Sequence, residues 1–171
     1  MSEATTVRKP NTILTEATIK PVESDALRQV AALLGGERIL RSLVQSPIDA
    51  HEMLLRGLPG QALIHLIDSF VVLHRTASLE KAVGISLRTF QRRKDMPGKP
   101  LSPEQSGRTW KFAEILAWAT TVLGSQEEAE QWLERPAIGL DQRRPIDLLA
   151  TPAGVRLVEE FLRRVEHGVY A

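Results

Sequence analysis

The chain has 171 residues, 22 Lys and Arg against 21 Asp and Glu, and no cysteine. That length supports one domain or two small ones sharing a core, and such a globule buries roughly 70% of its unfolded surface, so it needs no disulfide or structural metal. The missing thiols exclude a disulfide framework, thiol chemistry and thiolate metal sites, and they suit a reducing, cytoplasmic setting.

Residues 1–22 are Thr-rich, contain Pro10 and Pro21, and show no sustained periodicity, which predicts a flexible arm without the apolar core of a signal peptide. Ser24 reads as an N-cap. Leu27, Val30, Ala31 and Leu34 then recur at helical spacing, and Gly35 and Gly36 stop the helix. A short helix through Ile39, Leu40, Leu43 and Val44 follows, and Ser46, Pro47 and Asp49 open a third that Gly57 ends. Residues 61–73 put Ala62, Leu63, Leu66, Ile67, Phe70 and Val71 on one stripe, predicting a well-buried helix. His65, Asp68 and Ser69 interrupt this longest apolar stretch, so no membrane span is expected.

Two short helices come next, at 78–83 and 86–94, separated only by Gly84 and Ile85. Residues 95–101, with Pro97, Gly98 and Pro100, predict a linker and hinge. Ser102, Pro103 and Gln105 form a capping signature that opens a long helix to Val122, closed by Gly124. Another helix over 126–134 stops before Pro136. A loop and a short turn at 145–149 lead to a last helix begun by Thr151 and Pro152, with Val155, Val158, Phe161, Leu162 and Val165 on one face and Gly168 as its cap. No stretch alternates long enough for a strand. The expectation is an all-α protein, with a helix-turn-helix domain over 23–100 and a C-terminal helical domain over 101–171.

Catalytic chemistry finds no support. His51, His65, His74 and His167 lack ligand spacing, and His65 beside an apolar stripe reads as a packed histidine. Gly57, Leu58, Pro59 and Gly60 lack the Lys and Ser/Thr ending of a phosphate loop, and no serine sits in a nucleophile elbow. Acid pairs such as Glu127 with Glu128 and Glu159 with Glu160 read as solvated helix surface. No cofactor, metal or enzymatic activity is implied.

The balanced total hides a polarised chain. Residues 86–94 carry Arg88, Arg92, Arg93 and Lys94 with no acid, whereas the stretch from residue 125 onward sets nine acids against six arginines, a net of −3. The run SLEKAVGISLRTFQRRK supplies helix, glycine turn and Ser86-capped helix. Leu79, Val83, Ile85 and Phe90 can bury, which turns Ser86, Leu87, Arg88, Gln91 and Arg92 outward and leaves Arg93 and Lys94 near the helix end. Arg pairs bidentately with guanine and Gln with adenine, while Ser and Lys position on phosphate, so these seven residues are candidate DNA contacts. Cations in a last turn also complement the helix dipole, the plainer account of Arg92 to Lys94. Beyond Gly168 the chain ends in Val169, Tyr170 and Ala171, read either as a contact folding Val169 back on its helix or as a tail that enters a partner's pocket.

At these residues the chain resembles the Xre/MbcA/ParS family of antitoxins from type II toxin–antitoxin pairs. The run GISLRTFQRRK and the following LSPEQSGR resemble the junction between that family's Xre-like domain and its toxin-binding domain. The stretch from EEAEQWLERPAIGLDQRRPIDLLATPAG to the end resembles the toxin-binding domain through Trp132, Leu133, Pro136, Leu140, Pro145, Asp147, Leu148, Leu149, Thr151, Gly154 and Gly168. Most of these read as structural: Trp132 as a core anchor, Pro145 and Pro152 as helix starts, Asp147 as a cap or arginine partner. Asp141 and Gln142 depart from the small, Gly-rich residues the family often has there.

The resemblance implies a partner toxin of the RES type, which consumes NAD, and inhibition by covering its active-site entrance. It makes Arg163, Arg164, Glu166, Gly168, Val169, Tyr170 and Ala171 the candidate toxin contacts. Autorepression at operator DNA through a homodimer goes with it, since such proteins usually read palindromic sites. The alternative is a stand-alone helix-turn-helix regulator whose C-terminal domain serves dimerisation or another partner.

Overall fold

The computed structural model describes residues 21–73 and 77–168. Most of the expected arm, His74 and the terminal Val169, Tyr170 and Ala171 lie outside these residues, as does the side chain of Leu87. The described residues contain α-helices, one 3-10 turn and no strand, so the all-α expectation holds. The helices are α1 (Pro21–Leu33), α2 (Gly36–Leu40), α3 (Pro47–Arg56), α4 (Gly60–Asp68), α5 (Ala77–Val83), α6 (Leu87–Asp95), α7 (Pro103–Leu123), α8 (Gln126–Glu134), α9 (Pro145–Leu148) and α10 (Pro152–Glu166), with the 3-10 turn at Ile138–Leu140.

Local sequence chemistry accounts for most boundaries. Ser46 and Asp49 form a reciprocal capping box at α3, as Ser102 and Gln105 do at α7, each with Pro in the first turn. Ser86, Ser125 and Thr151 cap α6, α8 and α10 by accepting from the backbone N–H three residues on. Helix α1 starts at Pro21, ahead of the expected cap at Ser24, because proline fits a first helical turn. Its C-terminal end is closed by His65 of α4, whose Nδ1–H donates to the Leu33 carbonyl at 3.1 Å.

Helix α7 is the axis of the molecule. It packs against α1, α3, α5, α8 and α10. Its buried residues Phe112, Ala113, Ile115, Leu116 and Ala119 therefore belong to one core with Leu34, Leu63 and Leu66 before it and Leu133, Ile146, Val158 and Leu162 after it.

The short helix expected through Val44 stops at Leu40, where Arg41 turns left-handed, leaving Leu43 exposed, and two larger expectations change. The helix over 61–73 stops at Asp68, and Val71, placed on the buried stripe, is 61% exposed. The fully buried Glu130 of α8 takes over the backbone there. Its carboxylate accepts from the N–H groups of Val71 at 2.9 Å, Val72 at 2.7 Å and Leu73 at 2.8 Å, and from Gln126 Nε2 at 2.6 Å. A helix continuing past Asp68 would have directed the Val71 N–H to Ile67 instead.

The second change concerns residues 95–101, which form a strap rather than a hinge. Leu101 N donates to the Leu58 carbonyl at 2.8 Å, Gly60 N to Lys99 at 3.2 Å and Gln61 N to Pro97 at 3.0 Å. Arg93 Nη1 adds bonds to the carbonyls of Lys99 and Pro100, each at 2.9 Å. Gly57 makes this approach feasible: it has φ 91°, and a Cβ there would lie 2.3 Å from the Leu101 oxygen.

Replacing Glu130 removes the acceptor of three N–H groups at once, that of Leu73 buried and those of Val71 and Val72 part-buried. Glu130→Ala is expected to lower unfolding free energy by about 3 kcal/mol or more in urea denaturation, and Glu130→Gln, which keeps one acceptor oxygen, by less.

Candidate nucleic-acid and partner-binding surfaces

Helices α5 and α6 meet through Gly84, Ile85 and Ser86. Gly84 has φ 75°, and a Cβ there would lie 2.8 Å from Arg108 Nη1 of α7, so the turn needs glycine for both its torsion and its close neighbour. The Arg108 guanidinium lies under the turn, donating to the Lys81 and Ala82 carbonyls at the end of α5 and at 3.4 Å to Ala150. Leu79, Val83, Ile85 and Phe90 are buried as expected. That seats α6 on α4 and turns Ser86, Arg88, Gln91 and Arg92 to solvent.

The four cations of α6 are not equivalent. Arg88 and Arg92 are exposed and have no hydrogen-bond or ion-pair partner among the described residues. Arg93 is half-buried and committed to the 95–101 strap. Lys94 pairs with Asp68 of α4 at 3.2 Å and lies 5.4 Å from the Phe90 ring centroid. An exposed pair of this kind contributes little stability, so Lys94 remains available to an outside anion, whereas Arg93 is part of the fold. The Ser86 hydroxyl is occupied by its cap to Thr89.

A second set of groups ties this element to the C-terminal helices. Asp147 of α9 accepts from Arg144 Nε at 2.7 Å and Nη2 at 3.0 Å, and from the Ser78 hydroxyl of α5 at 2.6 Å. The Arg144 hydrogen bonds, joined by that of Ser78 and the charges of Arg144 and Lys81, hold the Asp147 carboxyl below the usual carboxylate range against an opposing effect of burial. Asp147 is thus the arginine partner, not a cap. Lys111 of α7 bridges Glu114 and Glu159 of α10, the latter at 3.1 Å. Burial opposes its charge, and those two carboxylates outweigh burial and raise its pKa.

The expected toxin-contacting residues diverge on α10. Arg163 is exposed. Arg164 is half-buried and reaches the Gly139 carbonyl at 3.4 Å, while Glu166 accepts from Trp118 Nε1 of α7 at 3.1 Å. Gly168 is exposed with φ 67°, and Val169, Tyr170 and Ala171 lie outside the described residues. Trp132 is half-buried and stacks on Phe161 with centroids 5.7 Å apart.

Sequence reasoning missed Arg108 and Glu130. Glu130 had a signal: with Gln126, Ala129 and Leu133 it occupies i, i+3, i+4, i+7 of α8, a core position where an acid requires donors. Arg108 had none, because its partners are carbonyls 27 and 42 residues away. Among the described residues no group of three metal-ligating side chains forms, and no helix is long and apolar enough to cross a membrane.

The fold and its surfaces define a helix-turn-helix protein with a second, helical module on the same core. Residues 49–114 match the antitoxin Xre-like helix-turn-helix domain, and residues 119–168 match the antitoxin Xre/MbcA/ParS C-terminal toxin-binding domain. An antitoxin Xre of Yersinia enterocolitica is 32% identical over 130 residues, covering 67% of this chain and 87% of that protein. Antitoxins Xre of Photorhabdus laumondii and Pseudomonas putida are 31% and 28% identical, over 52% and 72% of this chain and 60% and 74% of their own lengths. The chain belongs to the Xre/MbcA/ParS antitoxin family, a non-enzymatic regulatory family that joins a helix-turn-helix to a toxin-binding domain.

Because the folded pKa of Asp147 is depressed, its pairing contributes stability above the unfolded value of about 3.9 and loses it as pH falls through the lower folded value. Asp147→Asn is expected to be less stable than wild type at pH 7, with the gap closing toward pH 3 in thermal unfolding.

Proposed function

We propose that this antitoxin neutralises a cognate, NAD-consuming RES-type toxin by covering its active site, and represses its own operon through α6. In this reading residues 23–100 read operator DNA and residues 101–171 hold the toxin. The carrying observation is that α6 presents Arg88, Gln91 and Arg92 unpartnered on the same core that carries the toxin-binding helices. Arg88 and Arg92 read bases or phosphates, Gln91 reads adenine, and Ser86, Leu87 and Lys94 flank the contact. Arg93 serves the surface by holding α6 against the strap.

The chain acts as at least a dimer, matching a two-fold operator. On the toxin side, Arg163, Arg164, Glu166 and Gly168 set the exit of α10, and Val169, Tyr170 and Ala171 enter the toxin's substrate space.

Two experiments test the halves separately. Arg88→Ala and Arg92→Ala are each expected to weaken operator binding about tenfold or more in a gel shift at fixed salt, with the fold intact. Deleting residues 169–171 is expected to abolish rescue of growth when toxin is co-expressed, and full rescue by the truncated chain would remove the tail from the mechanism.

A further inference from the structure

Ile138 is 79% exposed, the most exposed of the large apolar side chains among the described residues. It begins the 3-10 turn of a short loop closed by an antiparallel bridge between Ala137 and Arg143, with Ala137 N donating to the Arg143 carbonyl at 3.1 Å. Asp141 and Gln142 hold the loop with φ 51° and 59°, a left-handed conformation that costs a side chain about 1 kcal/mol or more at each position. Glycine would remove most of that cost, and neither residue is glycine.

The surroundings are also short of their best pairing. Trp132 Nε1 and Arg164 Nε are buried with no hydrogen-bond partner, Trp132 lining the groove beside Ile138 and Arg164 reaching the loop at Gly139. The groove has a volume of about 470 Å³ and is lined by Leu123, Trp132, Pro136 and Phe161, with Glu128 and Arg135 at its edge. A stiff loop that keeps backbone cost and presents an apolar side chain beside an aromatic-floored recess is the arrangement of an interface anchor. All of it lies within residues 119–168, the toxin-binding domain match.

We infer that Ile138 and the groove beside it form a docking surface for the toxin, separate from the tail beyond Gly168. Ile138 enters an apolar recess on the toxin, and the groove over Trp132 and Phe161 receives an apolar or aromatic side chain in return. The loop is already closed by backbone bonds between Ala137 and both Gln142 and Arg143, so little ordering is required when the complex forms. This rests on the proposed toxin-neutralising function, and it assigns that function a second contact that acts in binding rather than in blocking the active site.

The test uses the full-length chain and the RES-type toxin encoded in the same operon, with affinity measured by titration. Ile138→Asp is expected to weaken the complex at least about thirtyfold, and Ile138→Leu to stay within about threefold. Because Ile138 is solvent-exposed, the thermal midpoint and operator binding of Ile138→Asp should match wild type. Wild-type affinity in Ile138→Asp overturns the inference alone. So does a change in oligomeric state with toxin affinity retained, which would assign the surface to self-association. A wild-type chain that forms no complex with that toxin overturns the function on which the inference rests.

Discussion

The carboxylate of Glu130 is the constraint on which the rest of this structure depends. A fully buried acid must find donors, and this one finds three successive backbone N–H groups in the segment leading into α5. By accepting from Val71, Val72 and Leu73 it ties the segment after α4 to α8 and so to the C-terminal helices. The acid stands on α8, in the toxin-binding domain, and its partners stand in the helix-turn-helix domain. The two functional parts are joined by a side chain that neither can leave unpaired.

The remaining ties run in the same direction. Asp147 and Arg144 hold Ser78 at the start of α5, Arg108 closes the end of α5, and the strap over 95–101 locks α6 through Arg93. Helix α7 supplies the shared core between them. Helix α6 is therefore held from behind by these contacts, with Arg88, Gln91 and Arg92 exposed in front. The basic cluster of four divides into two free arginines, one ion-paired lysine and one arginine that belongs to the fold.

Asp141 and Gln142 hold a left-handed backbone without being glycine. Their φ angles of 51° and 59° lie in a region that glycine enters without a Cβ penalty and larger residues enter at a cost. The bridge between Ala137 and Arg143 and the surrounding packing hold them there.

Much was legible in local chemistry. The caps at Ser46, Ser86, Ser102 and Thr151 act on neighbours three residues away, so α3, α6, α7 and α10 could be placed from the chain alone. The polarised charge and the helix–glycine–helix pattern likewise identified α6 as the exposed cationic element. What only the tertiary structure decided is which polar groups are spent inside the fold. Glu130, Arg108 and Asp147 are ordinary charged residues by composition, and contacts to Leu73, Lys81 and Ser78, far along the chain, turn them into struts. Residues 95–101 look like a hinge because Pro and Gly favour turns, yet Leu58, Gly60 and Gln61 give that segment hydrogen-bond partners and make it a strap. Propensity acts within a few residues, whereas the pairing of buried polar groups is settled only when distant segments meet.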